Sequence, residues 1–224
     1  MTNGLVMSKV ARLLRPHSRS AFINSLPNKA MILDVGCGNG SVDRVKNIRP
    51  DIYYVGVDIN ESSEIPNSAF SVDEYIEATP ESFGNAVASA GSRFDAVISS
   101  HNIEHCNDPE QVVSAMASTL KPGGRLFMSF PAAETVTFPS RSGTLNFADD
   151  PTHIYLPDWE AINHWLMLHG LKVTKAIKRH RPLVYSAVGM AIEPVLAHQK
   201  RVDGFGFSWA YWGFESVIWA EKSH

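Results

Sequence analysis

Between residues 30 and 131 short apolar runs alternate with segments whose apolar positions recur at helical spacing. Met31–Val35, Tyr53–Asp58, residues 94–99 and residues 125–130 read as strands, with a weaker candidate at residues 70–72. Strands separated by amphipathic segments predict βαβ units, and hence an α/β fold with a parallel sheet and right-handed crossovers. Ligands of such sheets lie at the carboxyl ends of the strands. The polar clusters at residues 36–40, 58–60, 73–74 and 99–105, and the loop after Phe130, all fall where the pattern places a strand end.

The flanking segments follow other patterns. Residues 5–25 set Val6, Val10, Leu13, Leu14, Ala21 and Phe22 among Lys9, Arg12, Arg15 and Arg19. This suits helices broken near Pro16, packed on the sheet or closing over a ligand. Residues 132–157 form a segment too long for a plain connector and therefore face a substrate by expectation. Asp158 is placed to cap a helix over residues 159–169 that stops at Gly170. Leu171–Ile177 and residues 214–220 read as strands, with an aromatic-rich insertion at residues 181–213 between them. Its Tyr185, Phe205, Phe207, Trp209, Tyr211 and Trp212 suit a core, a homodimer contact, or stacking on a sugar, aromatic or lipid-linked acceptor. The expected organisation is a single domain over 1–224: an N-terminal helical segment 1–28, a binding core 29–131, a substrate loop 132–157 and a C-terminal part 158–224.

Composition narrows the class. The 224 residues carry a formal charge of −3 and 44% apolar residues, an ordinary globular balance without the basic face of a dedicated nucleic-acid binder. Cys37 and Cys106 cannot build a disulfide framework, and no secretory pattern opens the chain, so a cytoplasmic location is expected. The apolar stretch 183–196 contains Glu193 and Pro194 and is too short to span a bilayer, leaving at most a weak interfacial contact.

Chemistry concentrates after the first strand. Gly36, Gly38 and Gly40 let the backbone turn sharply and bring N–H groups close to a ligand. The third glycine follows the second too soon for the dinucleotide fingerprint, and Asp34 would repel a pyrophosphate but attract an ammonium group. Asp58, 22 residues beyond Gly36, could accept two hydrogen bonds from a ribose diol, though a helix cap and a surface acid are the plain alternatives for these two acids.

These motifs, LDVGCGNG, VGVDIN, FDAVISSHNIEH and LKPGGRLFMSFP in that order, closely resemble the class I S-adenosylmethionine-dependent methyltransferases. The resemblance implies a Rossmann-like sheet of seven mostly parallel strands, helices on both faces, and a C-terminal antiparallel hairpin. It also implies S-adenosyl-L-methionine as cofactor. Asp34, Gly36, Cys37 and Gly38 would line the methionine moiety, with Ser99 and Ser100 beside them. Asp58 would bind the ribose and Ile59 would pack on adenine. Asp73, or Glu74 in its stead, would meet the adenine amine. A short segment, DDPTH at 149–153, is similar to one in methyltransferases associated with surface-polysaccharide assembly.

Methyl transfer to a hydroxyl requires alignment and removal of a proton, a task suited to histidine. His101 and His105, just past the fourth strand, and His153 in the long loop are the candidate bases. His105 could equally begin the next helix, and Asp149 and Asp150 could simply cap a turn. Asp149, Asp150 and His153 are potential metal ligands, but no recognised ligand spacing marks a metal site, and none is expected. The function expected is O-methylation of a small-molecule or glycan-like hydroxyl acceptor. The alternatives are a non-catalytic cofactor-binding module and an NAD-dependent oxidoreductase.

Overall fold

The computed structural model describes residues 14–59 and 71–223. Strands β1 (Met31–Val35), β2 (Tyr53–Asp58), β3 (Glu74–Glu77), β4 (Phe94–Ser100), β5 (Leu120–Pro131), β6 (Leu171–Ile177) and β7 (Glu215–Lys222) form one seven-stranded sheet in the order β3-β2-β1-β4-β5-β7-β6. β1 to β5 pair in parallel, whereas β7 runs antiparallel to both β5 and β6. The expected α/β architecture with its C-terminal antiparallel pair is the one observed.

Strand periodicity decides which side chain enters which layer. Leu33, Val35, Val97, Leu126 and Met128 fill one core, packed by the helices Phe83–Ser89, Pro109–Thr119 and Trp159–Leu168. Their neighbours Ile32, Ala96, Ile98 and Phe127 turn to the other face and meet Phe22 and Val45 from the helices Arg19–Asn24 and Ser41–Ile48. Apolar character on both faces is what a parallel sheet covered by helices requires.

Local signals set the boundaries. Ser18 and Asp158 cap their helices by accepting from the Ala21 and Ala161 N–H groups. Gly170, at φ 77°, ends the second of these helices as anticipated. Gly123 and Gly124 lie in an irregularity within β5, where pairing with β4 skips register after Phe94.

Two expectations about strands are corrected. The third strand is Glu74–Glu77, later in the chain than the expected run at 70–72; Tyr75 and Ile76 between the two acids pair with Gly56 and Val57 of β2 at the sheet edge, and Phe70 lies outside the described residues. The last strand begins at Glu215 rather than 214. The aromatic insertion consists of two packed helices, Leu183–His198 and Phe207–Trp212, with Gly189 so close to Phe207 that a Cβ there would lie 2.2 Å from its carbonyl oxygen. Of the N-terminal helical segment, residues up to 13 are outside the described residues.

Candidate active site

The loop after β1 carries Gly36, Gly38 and Gly40, all at positive φ. A Cβ on Gly36 would collide with the Asn102 side chain at 2.2 Å, so glycine lets the loops after β1 and β4 touch. A Cβ on Gly38 or Gly40 would meet nothing within 4 Å, and the backbone there faces open space. The Gly38 N–H donates to Asp58 Oδ2 at 2.6 Å, which ties the loop to the end of β2.

Beside this loop lies a cavity of about 390 Å³ lined by Gly36, Gly38, Asp58, Ile59, Pro80 and Phe83 on one side and by His101, Asn102, His105, Cys106 and Thr152 on the other. An acid for hydroxyls, apolar groups for a base and bare backbone for a chain fit a nucleoside with an aminoacyl tail. Ile59 is 51% exposed at this mouth. Across His101 a second cavity of about 540 Å³ is mainly basic, with Arg15, Arg19, Arg44 and His180 outnumbering Asp203 and Glu215 in its wall, together with Ser100, Phe205 and Trp209.

Asp34 lines neither cavity. It is 1% exposed, and its Oδ2 accepts from Arg19 Nη2 at 2.8 Å, from Tyr54 Oη at 2.7 Å and from Ser41 Oγ. The expected direct contact with a ligand ammonium is therefore replaced by a bracing role: Asp34 fixes Arg19, and Arg19 reaches a cavity. Cys37 points its thiol into the core, where burial and the charges of Asp34 and Asp58 push its pKa up, so only its backbone can serve a ligand. Cys106 stays a thiol for the same first reason, pushed up to about 12 by burial and then by Glu104.

Asp73 is likewise corrected. Its Oδ2 accepts from the Tyr54 N–H at 2.7 Å and Lys46 Nζ at 2.6 Å, at the amino ends of β2 and β3 and thus the far edge from the cavity. Glu74, the alternative, pairs there with Arg93. The acid standing at the carboxyl end of β3 is Glu77, in register with Asp58. Reading the strand four residues early hid it. Ser99 is buried at the end of β4, whereas Ser100 Oγ is buried without a hydrogen-bond partner.

The histidines separate by environment. His101, at φ 52°, places Nδ1 3.1 Å from Glu104 Oε1 and Nε2 3.0 Å from Glu215 Oε1. Burial alone would lower its pKa, but hydrogen bonds to the two carboxylates outweigh burial and raise it to about 10. Held protonated between two carboxylates, His101 is poorly suited to take up a further proton at neutral pH. Glu215 is in turn held far below the usual carboxylate range: burial opposes this, and hydrogen bonds from His101 and His180, with Arg15 nearby, overcome it.

His105 faces the smaller cavity. Its Nδ1 lies 3.1 Å from the Thr152 carbonyl oxygen and 3.0 Å from Thr152 Oγ1. His153 lines neither cavity; it sits behind His105, ring centroids 4.9 Å apart, with Nδ1 donating to the Phe147 carbonyl at 2.7 Å. Residues 132–157 hold only the short turns Ala133–Thr137 and Phe147–Asp149. Asp149 organises this loop by accepting from Ser140 Oγ and the N–H groups of Arg141, Leu145 and Asn146. Asp150 accepts from Thr152. The pair therefore builds the turn, the plain alternative left open above.

The insertion clamps the loop from outside. Arg141 pairs with Glu193, Trp212 Nε1 donates to Glu193 at 3.1 Å, and Trp209 Nε1 donates to the Thr144 carbonyl at 2.7 Å. Trp209 stacks on Phe214 and Trp212 packs on Phe138, so most of the aromatic cluster is structural, while Phe205 stays exposed at the basic cavity. Leu183, Met190 and Val195 leave an exposed apolar face on the Leu183–His198 helix. No helix among the described residues is long and apolar enough to cross a membrane.

Comparison with known proteins agrees with this geometry. A family model described as a methyltransferase domain matches residues 5–176. The ubiquinone biosynthesis O-methyltransferase of Xanthomonas axonopodis pv. citri is 31% identical over 105 residues, covering 46% of this chain and 44% of that protein. The match thus spans less than half the length of that relative. Among solved structures, the Haloferax volcanii complex of the Trm112 methyltransferase activator and a methyltransferase superposes with a TM-score of 0.64 at 14% identity, over 98% of this chain and 95% of that one. A SAM-dependent methyltransferase from Archaeoglobus fulgidus gives 0.58 at 18% identity, over 98% and 95%. At these identities the likeness is one of fold.

Proposed function

The chain belongs to the methyltransferase-domain family, with S-adenosylmethionine as its cofactor, and from that premise we propose that the protein is an O-methyltransferase for a small-molecule or glycan-like hydroxyl acceptor. The observation carrying this reading is one cavity bounded by the glycine loop, Asp58 and Ile59 on one side and by His105 and Thr152 on the other. We read the chain as a single methyltransferase domain, because all seven strands among the described residues join one sheet.

When bound, the cofactor supplies an electrophilic methyl group on a sulfonium. Asp58, which braces Gly38, would accept from the ribose hydroxyls, and Ile59, Pro80 and Phe83 would enclose the adenine. Arg19, oriented by Asp34, and the unpartnered Ser100 hydroxyl line the second cavity, where they would meet the methionine carboxylate of a cofactor whose tail extends past His101. An acceptor enters past Thr152, and its hydroxyl would give up its proton beside His105, the candidate base that lines this cavity. Holding the acceptor oxygen in line with the methyl carbon supplies most of the rate enhancement, as an avoided loss of orientational freedom.

The test has two stages. Calorimetric titration with S-adenosylhomocysteine should give saturable binding, at least tenfold weaker in Asp58→Ala, with no response to NADH. The enzyme is then supplied with labelled cofactor and a panel of phenolic, catecholic and sugar hydroxyls, and methyl ethers are sought by mass spectrometry. Homocysteine-adduct binding without any methyl ether product would favour a non-catalytic binding module.

A further inference from the structure

We propose that Glu104, His105 and His153 form a binding site for a divalent cation of the zinc class at the rim of the cofactor cavity. One ligand atom from each of these residues lies within 4.8 Å of the others. Glu104 is 0% exposed, and of its two oxygens Oε1 faces His101 while Oε2 is buried without a partner. A carboxylate oxygen without a donor or a cation is costly in such surroundings, so the site is built for something positive.

Both imidazoles are prepared as ligands. A carbonyl oxygen can only accept, so the contacts from His153 to Phe147 and from His105 to Thr152 place the proton on Nδ1 and leave the Nε2 lone pairs for coordination. Asp150 Oδ2 lies 3.9 Å from His153 Nε2, a second negative oxygen beside the same point. The juxtaposition is held by backbone: the N–H groups of Ile154 and Tyr155 both donate at 3.0 Å to the Glu104 carbonyl, stitching the loop to the segment after β4. Four-coordinate zinc bonds of roughly 2.0–2.2 Å set its ligands about 3.4 Å apart, so closure takes side-chain rotation of about an ångström and no rearrangement of the chain.

Two imidazoles and one carboxylate favour zinc or cobalt over magnesium or calcium, which prefer all-oxygen shells. Three protein ligands leave a position open, and His105, which with Thr152 lines the cavity, puts the site beside it. Resting on the oxygen-acceptor reading above, the acceptor hydroxyl takes that position. The cation lowers the pKa of the hydroxyl, its proton leaves to solvent, and the O–H bonding pair forms the new O–CH₃ bond as the methyl–sulfur bond breaks onto sulfur. One proton is released per methyl ether formed, and the cation is unchanged.

The experiment uses the full chain stripped with a chelator and titrated with Zn²⁺ or Co²⁺ by calorimetry, with the visible spectrum of the cobalt form as an independent signature. One equivalent per chain is expected, weakened at least a hundredfold in His153→Ala and in Glu104→Gln. Affinity for S-adenosylhomocysteine in His153→Ala should stay within about threefold of wild type, which separates loss of the cation from loss of the fold. The site is refuted if wild type binds S-adenosylhomocysteine but no stoichiometric cation, or if His153→Ala binds the cation as tightly as wild type. Cation binding is read without an acceptor, so its failure is distinct from failure of the oxygen-acceptor reading, which would show as metal-loaded enzyme yielding no methyl ether.

Discussion

Replacing Glu215 by Gln probes the charge cluster that separates the two cavities. In wild type, His101 is protonated to about pH 10 in the folded chain, against 6.5 as its ordinary value. A histidine whose folded pKa is raised contributes stability fully below the unfolded value, and that contribution falls as pH rises through the folded value. Between those limits the folded state holds one proton more than the unfolded state, so stability declines by about 1.4 kcal/mol per pH unit from this group. From pH 7 to pH 9 the loss is ~2.7 kcal/mol, or roughly 5–10 °C of melting temperature for a chain of this size.

Glu215→Gln removes one of the two carboxylates contacting His101 and also leaves Arg15 without this partner. At pH 7 the variant should be less stable by about 3 kcal/mol, the usual cost of leaving one member of a buried pair. Its decline between pH 7 and pH 9 should be shallower than that of wild type, because His101 now loses its proton earlier. Urea unfolding of both proteins at several pH values, with the imidazole resonances followed by NMR, measures both effects. A wild-type His101 resonance titrating near neutrality, or parallel pH–stability profiles for the two proteins, would refute the reasoning.

Gly36→Ala drives a methyl group into Asn102 at a positive φ and should abolish detectable S-adenosylhomocysteine binding while costing about 2 kcal/mol or more in urea unfolding. Arg19→Ala leaves Asp34 buried with one charged partner fewer; a loss of about 2–4 kcal/mol and at least tenfold weaker S-adenosylhomocysteine binding are expected by calorimetry and chemical denaturation. Asp149→Ala removes the acceptor for Ser140, Arg141, Leu145 and Asn146, and limited proteolysis should then cut within residues 138–150 well before wild type is cleaved, with cofactor binding little changed.

Much of this protein is decided by its sequence. Apolar runs such as Met31–Val35 are strands because a parallel sheet buries both their faces, and Gly38 and Gly40 mark the ligand loop because they leave backbone uncovered. Asp158 and Gly170 bracket their helix through local cap chemistry, which depends only on near neighbours in the chain.

Tertiary structure alone decides what those groups do. Asp34 is a brace because Arg19, Ser41 and Tyr54 arrive from three different elements to occupy its carboxylate. Asp73 faces away from the cavity because β3 starts later than its composition suggests, and edge strands are weakly specified by pattern. His101 is poorly suited to act as a base because Glu215, 114 residues away, pairs with it. His153 reaches Glu104 and His105 across some fifty positions of chain. Local periodicity carries no record of such meetings, since proton affinity and coordination depend on which charges come within a few ångströms after the chain has folded.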